Sequence, residues 1–413
     1  MPKLTKKTVD EISLPESGQK FIWDSDLKGF GIRLTSKCKT YIVQARVNGK
    51  TRRVKVGTHG PWTPDKARKD AMNKLHSMST GVDPATEKKR LKAVSITLEK
   101  LTDSYISDRH NLKPSSIFDI RKHVDGSFSD WKKKPASSIT RDKVLSRFRK
   151  LSKKSPAQAN QAFRILRALL NYARATYRAD SEPVFPENPV SVLSDAKMWN
   201  DIRPRTGRIP IDRIGYAWNA IQNLRNSLVQ SKTSRSYTDA VAFLLLTGAR
   251  WGEASQLTWD RVDLDAGTWY LPDPKNRQPV KFPLSNMAKQ IIEERPRIND
   301  FVFPARSKTG HVTDPRRVLA SVSEAAKSQV TAHDMRRTFR AVAGDCDIEL
   351  WKTKLLMNHK LSGDITISAY TETSDLSYLA PEAEKIAAWI KRQSKIAANE
   401  KVIDIKAMKK SRA

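Results

Sequence analysis

The stretch TAHDMRRTFR, Thr331 to Arg340, puts one histidine and three arginines into ten residues. Read as a helix, positions three and four apart share a face, so His333, Arg336 and Arg340 point the same way. Like charges on one face repel, so such a face asks for an anion. The surroundings extend the helical reading. AHDMRRTFRAVAGD continues the helix. Upstream, YTDAVAFLLLTGAR reads as an apolar helix ending near Thr247-Gly248, and WGEASQL starts another. TWYLPDPKNRQPVKFPLS reads as two strands around a turn at Lys275-Asn276-Arg277. The last helix is PEAEKIAAWIKRQSKIAANE. These signals outline a mostly helical domain with a β-hairpin over residues 210–385 and a tail helix over 386–413.

Two further segments precede it. FGIRLTS, TYIVQARVNGK and TRRVKVGTHG alternate apolar and polar residues with period two, the mark of strands. Asn48-Gly49 between the second and third is a hairpin signal. A small antiparallel three-stranded sheet follows, apolar on one face and carrying Arg33, Arg46, Arg53 and Lys55 on the other. TPDKARKDAMNKLHSM reads as a helix with Thr63 as N-cap and Pro64 at its first position, closing a unit over residues 1–85. Residues 96–180 read as all-helical. SPAQANQAFRILRALLNYARATYR sets Phe163, Leu166, Leu170 and Ala173 in one stripe, with Arg164, Arg167 and Arg174 between them. Residues 181–209, with Pro186 and Pro189, read as an irregular basic linker. The fold class is therefore α+β and multidomain.

Charge narrows the function. The chain has 413 residues, with 76 Lys+Arg against 44 Asp+Glu, a net +32. Such an excess is self-repelling and suits a polyanionic partner, nucleic acid before a membrane surface. No apolar run of about 18 residues is present to span a bilayer, and the N-terminus lacks the apolar stretch of a signal peptide. Cys38 and Cys346 fit neither a zinc site nor a disulfide framework and read as reduced thiols of a cytoplasmic protein.

Four pieces carry unusual chemistry: TGARWGEASQLTW with Arg250, and Glu253 placed to hold its guanidinium; Lys275 at the hairpin tip; His333 with Arg336; and LLMNHKLSGDITISAY with His359 and Tyr370. In this order they resemble the tyrosine recombinases, phage and genomic-island integrases in particular. The first segment is similar to the arm-site DNA-binding domain of one integrase subgroup, and the helical middle resembles the core-site binding domain in kind. One departure is Met357-Asn358-His359, where the family usually has Leu-Gly-His. Asn is the next residue after Gly to accept a left-handed helix end, so the turn is expected to survive.

Two arginines can clamp one phosphate with planar, permanently charged donors and stabilise the charge that grows on it during attack. No carboxylate cluster suited to magnesium is evident, so neither metal nor cofactor is expected. The resemblance implies Tyr370 as nucleophile, His333 as base or proton carrier, His359 as a hydrogen-bond donor to the phosphate, and Lys275 as the acid for the leaving 5′-oxygen. Lys281 is the substitute for Lys275, and Tyr378 the rival nucleophile. It also implies arm-type and core-type sites in double-stranded DNA, a homotetramer in the synaptic complex, a host DNA-bending protein and an excision factor. A DNA-binding regulator without catalysis, a type IB topoisomerase-like enzyme and a basic RNA-associated protein are the alternatives. The last explains the charge but not the ordered motifs.

Overall fold

The computed structural model describes residues 2–179, 182–227, 232–274, 277–359 and 372–410. It divides into two compact units, Met1–Arg203 and Pro204–Ala413. Among the described residues no helix is long and apolar enough to cross a membrane.

The first unit opens with α1 (Lys6–Glu11) and a sheet of β1 (Gln19–Trp23), β2 (Phe30–Thr35), β3 (Lys39–Val47) and β4 (Lys50–Thr58). The order is β1-β2-β3-β4, antiparallel throughout. The sheet thus has four strands, not three. QKFIW is short and gives too few alternations to announce β1. Asn48 and Gly49 take φ of 48° and 77°, the left-handed pair that a two-residue hairpin turn needs. Phe30, Ile32, Leu34, Tyr41 and Val43 form the buried face. α2 (Pro64–Ser79) covers it with Ala67, Ala71 and Met78, and the Thr63 hydroxyl accepts from the Lys66 N–H to cap the helix.

The rest of the first unit is helical: α3 (Pro84–Val94), α4 (Leu98–Asp108), α5 (Pro114–Asp125), α6 (Ser129–Lys132), α7 (Arg141–Lys154) and α8 (Pro156–Thr176). Phe163 of α8 meets Phe128 and Phe148 edge-on, each with ring centroids 5.3 Å apart, the favoured geometry for aromatic pairs. The stripe of Phe163, Leu166, Leu170 and Ala173 is buried. The segment expected to be a linker is only partly one. A short ribbon of β5 (Arg178–Ala179) and β6 (Glu182–Pro183) leads to α9 (Val192–Asp195), and Phe185, Val190 and Leu193 are buried in the helical core. Asn200 is held by Asn160 and by the Ser152 hydroxyl. The exposed connection is residues 201–208. The prolines break the periodicity here, so each apolar anchor enters the core singly and leaves no pattern in the sequence.

The second unit contains α10 (Ile214–Arg225), α11 (Lys232–Thr247), α12 (Trp251–Ser255), the sheet β7 (Val262–Asp263), β8 (Thr268–Leu271) and β9 (Val280–Pro283), then α13 (Asn286–Glu293), α14 (Arg316–Ala326), α15 (Ala332–Asp345) and α16 (Leu350–Leu356). α11 runs through the core, buried continuously from Ala240 to Leu246. The C-terminal helix, Ala380–Lys410, starts before the expected residue 386 and packs on α10 of its own chain. A Cβ at Gly215 would lie 2.2 Å from the Gln393 carbonyl oxygen, so the two backbones approach as only glycine allows. Ile386, Ala387 and Ile390 are buried in the same core.

A buried ionic network ties α10, α11 and the end of α13 together. Asp239 accepts from Arg225 Nε at 2.6 Å and from Arg295 Nη1 at 2.9 Å. Arg225 also donates to Glu294, at 2.9 Å. Asp239 and Arg295 are both nearly or wholly inaccessible to water, and burial pushes the Arg295 guanidinium down. Removing one member of a buried ionic set leaves uncompensated charge in a place without water. Asp239→Ala is therefore expected to cost about 3–5 kcal/mol of stability, read as a lower urea midpoint at unchanged slope.

Candidate active site

α15 organises the site. Its first turn is capped by Asp334, whose carboxylate accepts from the Thr331 N–H at 2.9 Å, the Thr331 hydroxyl at 2.6 Å and Arg337 Nη1 at 2.5 Å. Burial works to raise the pKa of this carboxyl, but the bonds from Thr331 and Arg337 outweigh it and hold it below the usual range. Met335, Phe339 and Val342 face the core. His333 and Arg340 are exposed, whereas Arg336 is only 3% exposed, so the three residues share a face but not an environment.

The buried Arg336 guanidinium joins three distant stretches. Nη1 donates to the Gly248 carbonyl at 2.7 Å, and Nη2 donates to the Met357 carbonyl. Gly248 ends α11 with φ +65°, and a Cβ there would lie 2.5 Å from Phe339 Cδ1, so the turn needs glycine on both counts. Two residues on, Arg250 precedes α12. Glu253 Oε1 accepts from Arg250 Nη1 at 2.7 Å, and Oε2 accepts from the Arg250 N–H at 2.9 Å. At the other end, Asn358 takes φ 49° to close α16, and the His359 N–H donates to the Lys354 carbonyl at 2.8 Å. Burial and the charge of Arg250 push the Arg336 guanidinium down to about 10, which leaves it charged at neutral pH.

Burial and these cations together lower both imidazoles. His333 is lowered first by loss of hydration, then by Arg337 and Arg336. His359 is pushed down to about 4 by loss of hydration, then by Arg336, Arg250 and Arg340. Because His359 is exposed, the charges are the more durable cause. A neutral imidazole offers one donor and one acceptor, and a bound anion would favour its protonated form. Histidine NMR of the free protein is therefore expected to show His359 unprotonated from about pH 8 down to pH 5, with its midpoint rising when DNA or sulfate is added.

Residues 4–91 match the Arm DNA-binding domain model, and residues 219–375 match that of the Phage integrase family. Together they take in more than half of the chain. The prophage integrase IntF of Escherichia coli (strain K12) is 23% identical over 438 residues, spanning 95% of this chain and 91% of that protein. The chain belongs to the tyrosine recombinase family. It is a site-specific DNA recombinase of the phage integrase kind. Among solved structures, a lambda integrase dimer bound to a COC′ core site is similar at a TM-score of 0.48 and 16% identity, covering 88% of this chain and 96% of that one. The Tn1549 transposon integrase in complex with circular intermediate DNA is similar at a TM-score of 0.47 and 17% identity, covering 67% and 96%.

In this recombinase the structure brings Arg250, Glu253, His333, Arg336 and His359 into one cluster. Lys275 and Tyr370 lie outside the described residues. Lys281, the substitute for Lys275, is already engaged: its Nζ donates to Asp375 at 2.8 Å, and its backbone pairs with Ser374 and Leu376. The Tyr378 hydroxyl donates to the Glu372 carbonyl at 3.1 Å. Burial, then Glu372 and Glu382, raise its pKa, the opposite of what a nucleophile needs. Among the described residues no group of His, Cys, Asp or Glu could hold a metal ion.

The recombinase's basic sheet face lies in the other unit. Arg53 stacks over Phe21 at 4.0 Å from the ring centre, and its Nε donates to Gln44 at 2.8 Å. Arg46 Nε donates to the Gly49 carbonyl at 3.1 Å, Lys55 is exposed and Arg33 is half-buried. Phe21 and Trp23, stacked with ring centroids 6.4 Å apart, share this face on β1, the strand without a clear alternation in the sequence. Arg164 and Arg167 are exposed on α8, near Trp199 and Ser194 respectively. Three further residues of the second unit carry a weaker sequence signal or none. Asp334 could have been found from the Thr331-x-x-Asp334 capping spacing. Gly248 is marked by its place after an apolar helix. Thr338 carries no local signal.

Proposed function

We propose that this recombinase integrates and excises a mobile element by cutting DNA through a 3′-phosphotyrosyl ester. Arg250 and Arg336 hold the non-bridging oxygens of the scissile phosphate, and His359 donates a hydrogen bond to it. Tyr370 attacks with His333 taking its proton, and Lys275 protonates the departing 5′-oxygen. The ester conserves the energy of the broken bond, so a second DNA end reverses the step without ATP. The observation that carries this reading is the Arg336 guanidinium, which ties the turn before Arg250 to the turn before His359. Residues 1–85 grip arm-type DNA through the face bearing Arg33, Arg46, Arg53 and Lys55. Residues 96–180, with Arg164 and Arg167, and residues 210–385 each bind core-type DNA. Four copies then synapse two duplexes in the bacterial cytoplasm, with a host DNA-bending protein and an excision factor as accessory partners.

A core-site duplex nicked beside the cleavage point traps the intermediate, because the short product diffuses away. The expected result is an SDS-resistant protein–DNA adduct formed in EDTA. DNA binding without any adduct would favour a regulator that has lost its chemistry. Deleting residues 1–85 is expected to spare this cleavage and abolish full recombination, measured by integration between paired attachment sites. Undiminished integration would overturn the arm-site assignment.

A further inference from the structure

The connection between the two units ends on the helix that carries His333 and Arg336. Residues 201–208 are exposed, and Ile209, the next residue, is fully buried. Its N–H donates to Thr338 Oγ1 at 2.9 Å. The same hydroxyl donates to the Asp334 carbonyl at 2.8 Å. Thr338 is wholly buried, so water cannot replace either partner. Two residues upstream of Ile209, Gly207 passes so close that a Cβ would lie 3.0 Å from Asp334 Oδ1. That carboxylate is the one already capping α15 through Thr331 and holding Arg337. The connection therefore meets α15 at the two residues that bracket Arg336, and one of them directly follows His333.

We infer that Asp334 and Thr338 are positioning residues, a seat through which residues 207–209 fix the placement of His333 and Arg336. The inference rests on the function proposed above, which makes α15 the helix that presents the phosphate clamp. A pull along the exposed connection arrives at the Ile209 amide and is delivered to the Thr338 hydroxyl. A push at Gly207 arrives at the Asp334 carboxylate and loosens the cap of the first turn. Both act on the helix without any contact to the reacting phosphate. A misplacement of about 1 Å made far from the chemistry can cost ~10²-fold in rate, so a seat of this kind is worth a large kinetic effect and little binding.

The test compares Thr338→Val, which keeps the side-chain volume and removes the hydroxyl, with Thr338→Ser, which keeps the hydroxyl. On nicked core-site DNA at saturation, Thr338→Val is expected to slow adduct formation by about 10- to 100-fold, with DNA affinity changed by no more than about twofold. Thr338→Ser is expected to recover most of that rate. Gly207→Val, made on the connection alone, is expected to give the same split and decides the matter if Thr338→Val does not fold. Hydrogen exchange without DNA gives a readout free of catalysis. The amides of Ile209 and residues 334–338 should exchange faster in Thr338→Val, while those of α11 should not. Unchanged exchange there, or a rate loss matched by an equal affinity loss that serine does not restore, would overturn the seat. A wild-type protein that forms no adduct would instead overturn the proposed function, leaving the exchange result to decide the seat.

Discussion

Tyr370→Phe is expected to abolish the SDS-resistant adduct on nicked core-site DNA, while Tyr378→Phe leaves it intact. A phenol with an ordinary pKa near ~10 is almost wholly protonated at neutral pH, so it attacks only where its surroundings favour the phenolate. Cations do so and carboxylates do the opposite. In the proposed function Tyr370 meets the cations Arg250 and Arg336, which is the first environment. Tyr378 sits in the second, bonded to the Glu372 carbonyl and pushed up by burial, Glu372 and Glu382. Phenylalanine has no oxygen with which to form the ester, so the loss should exceed about four orders of magnitude, beyond what a lost hydrogen bond can explain. DNA affinity should be nearly unchanged. An adduct retained by Tyr370→Phe and missing from Tyr378→Phe would reverse the assignment.

Local rules carried much of this fold. The periodicity of AHDMRRTFRAVAGD marks the helix Ala332–Asp345, the Asn48-Gly49 pair marks the turn between β3 and β4, and Thr63-Pro64 marks the start of α2. Each depends on residues within a few positions of one another. What stayed hidden depends on long-range partners. Helical spacing places His333, Arg336 and Arg340 together but does not say that one of them goes inside. Arg336 is buried because the carbonyls of Gly248 and Met357, 88 and 21 residues away, arrive to accept from it. Lys281 could stand in for Lys275 on paper until its partner proved to be Asp375, 94 residues later. The core anchors Phe185, Val190 and Leu193 sit among prolines that suppress any period. Thr338 is one more small polar residue in a helix until the Ile209 amide is placed against it.

The two arginines of the proposed clamp should fail differently when each is changed to alanine. Arg250 is partly exposed, and its partner Glu253 keeps the bond that its other oxygen accepts from the residue-250 N–H. Arg250→Ala should therefore keep its folding midpoint within about 1 kcal/mol of wild type and lose cleavage by about 10²–10³-fold, the usual cost of one preorganised charge at a transition state. Arg336→Ala removes the same kind of charge and also leaves two buried carbonyls without their donor. Unsatisfied buried polar groups cost about 1–3 kcal/mol each, so this variant should lose measurable stability as well as cleavage. Arg336→Lys is the sharper variant. An ammonium keeps the charge but lacks the planar fork that reaches two carbonyls while leaving N–H groups for a phosphate. Its adduct yield should stay far below wild type even where stability is partly recovered. In the two alanine variants, DNA affinity should fall by about one phosphate contact, with the slope of log affinity against log salt reduced by roughly 0.9. Cleavage and affinity falling together by the same factor would mean that the arginines bind phosphate without favouring the transition state. The split between them is what distinguishes a catalytic clamp from a basic surface.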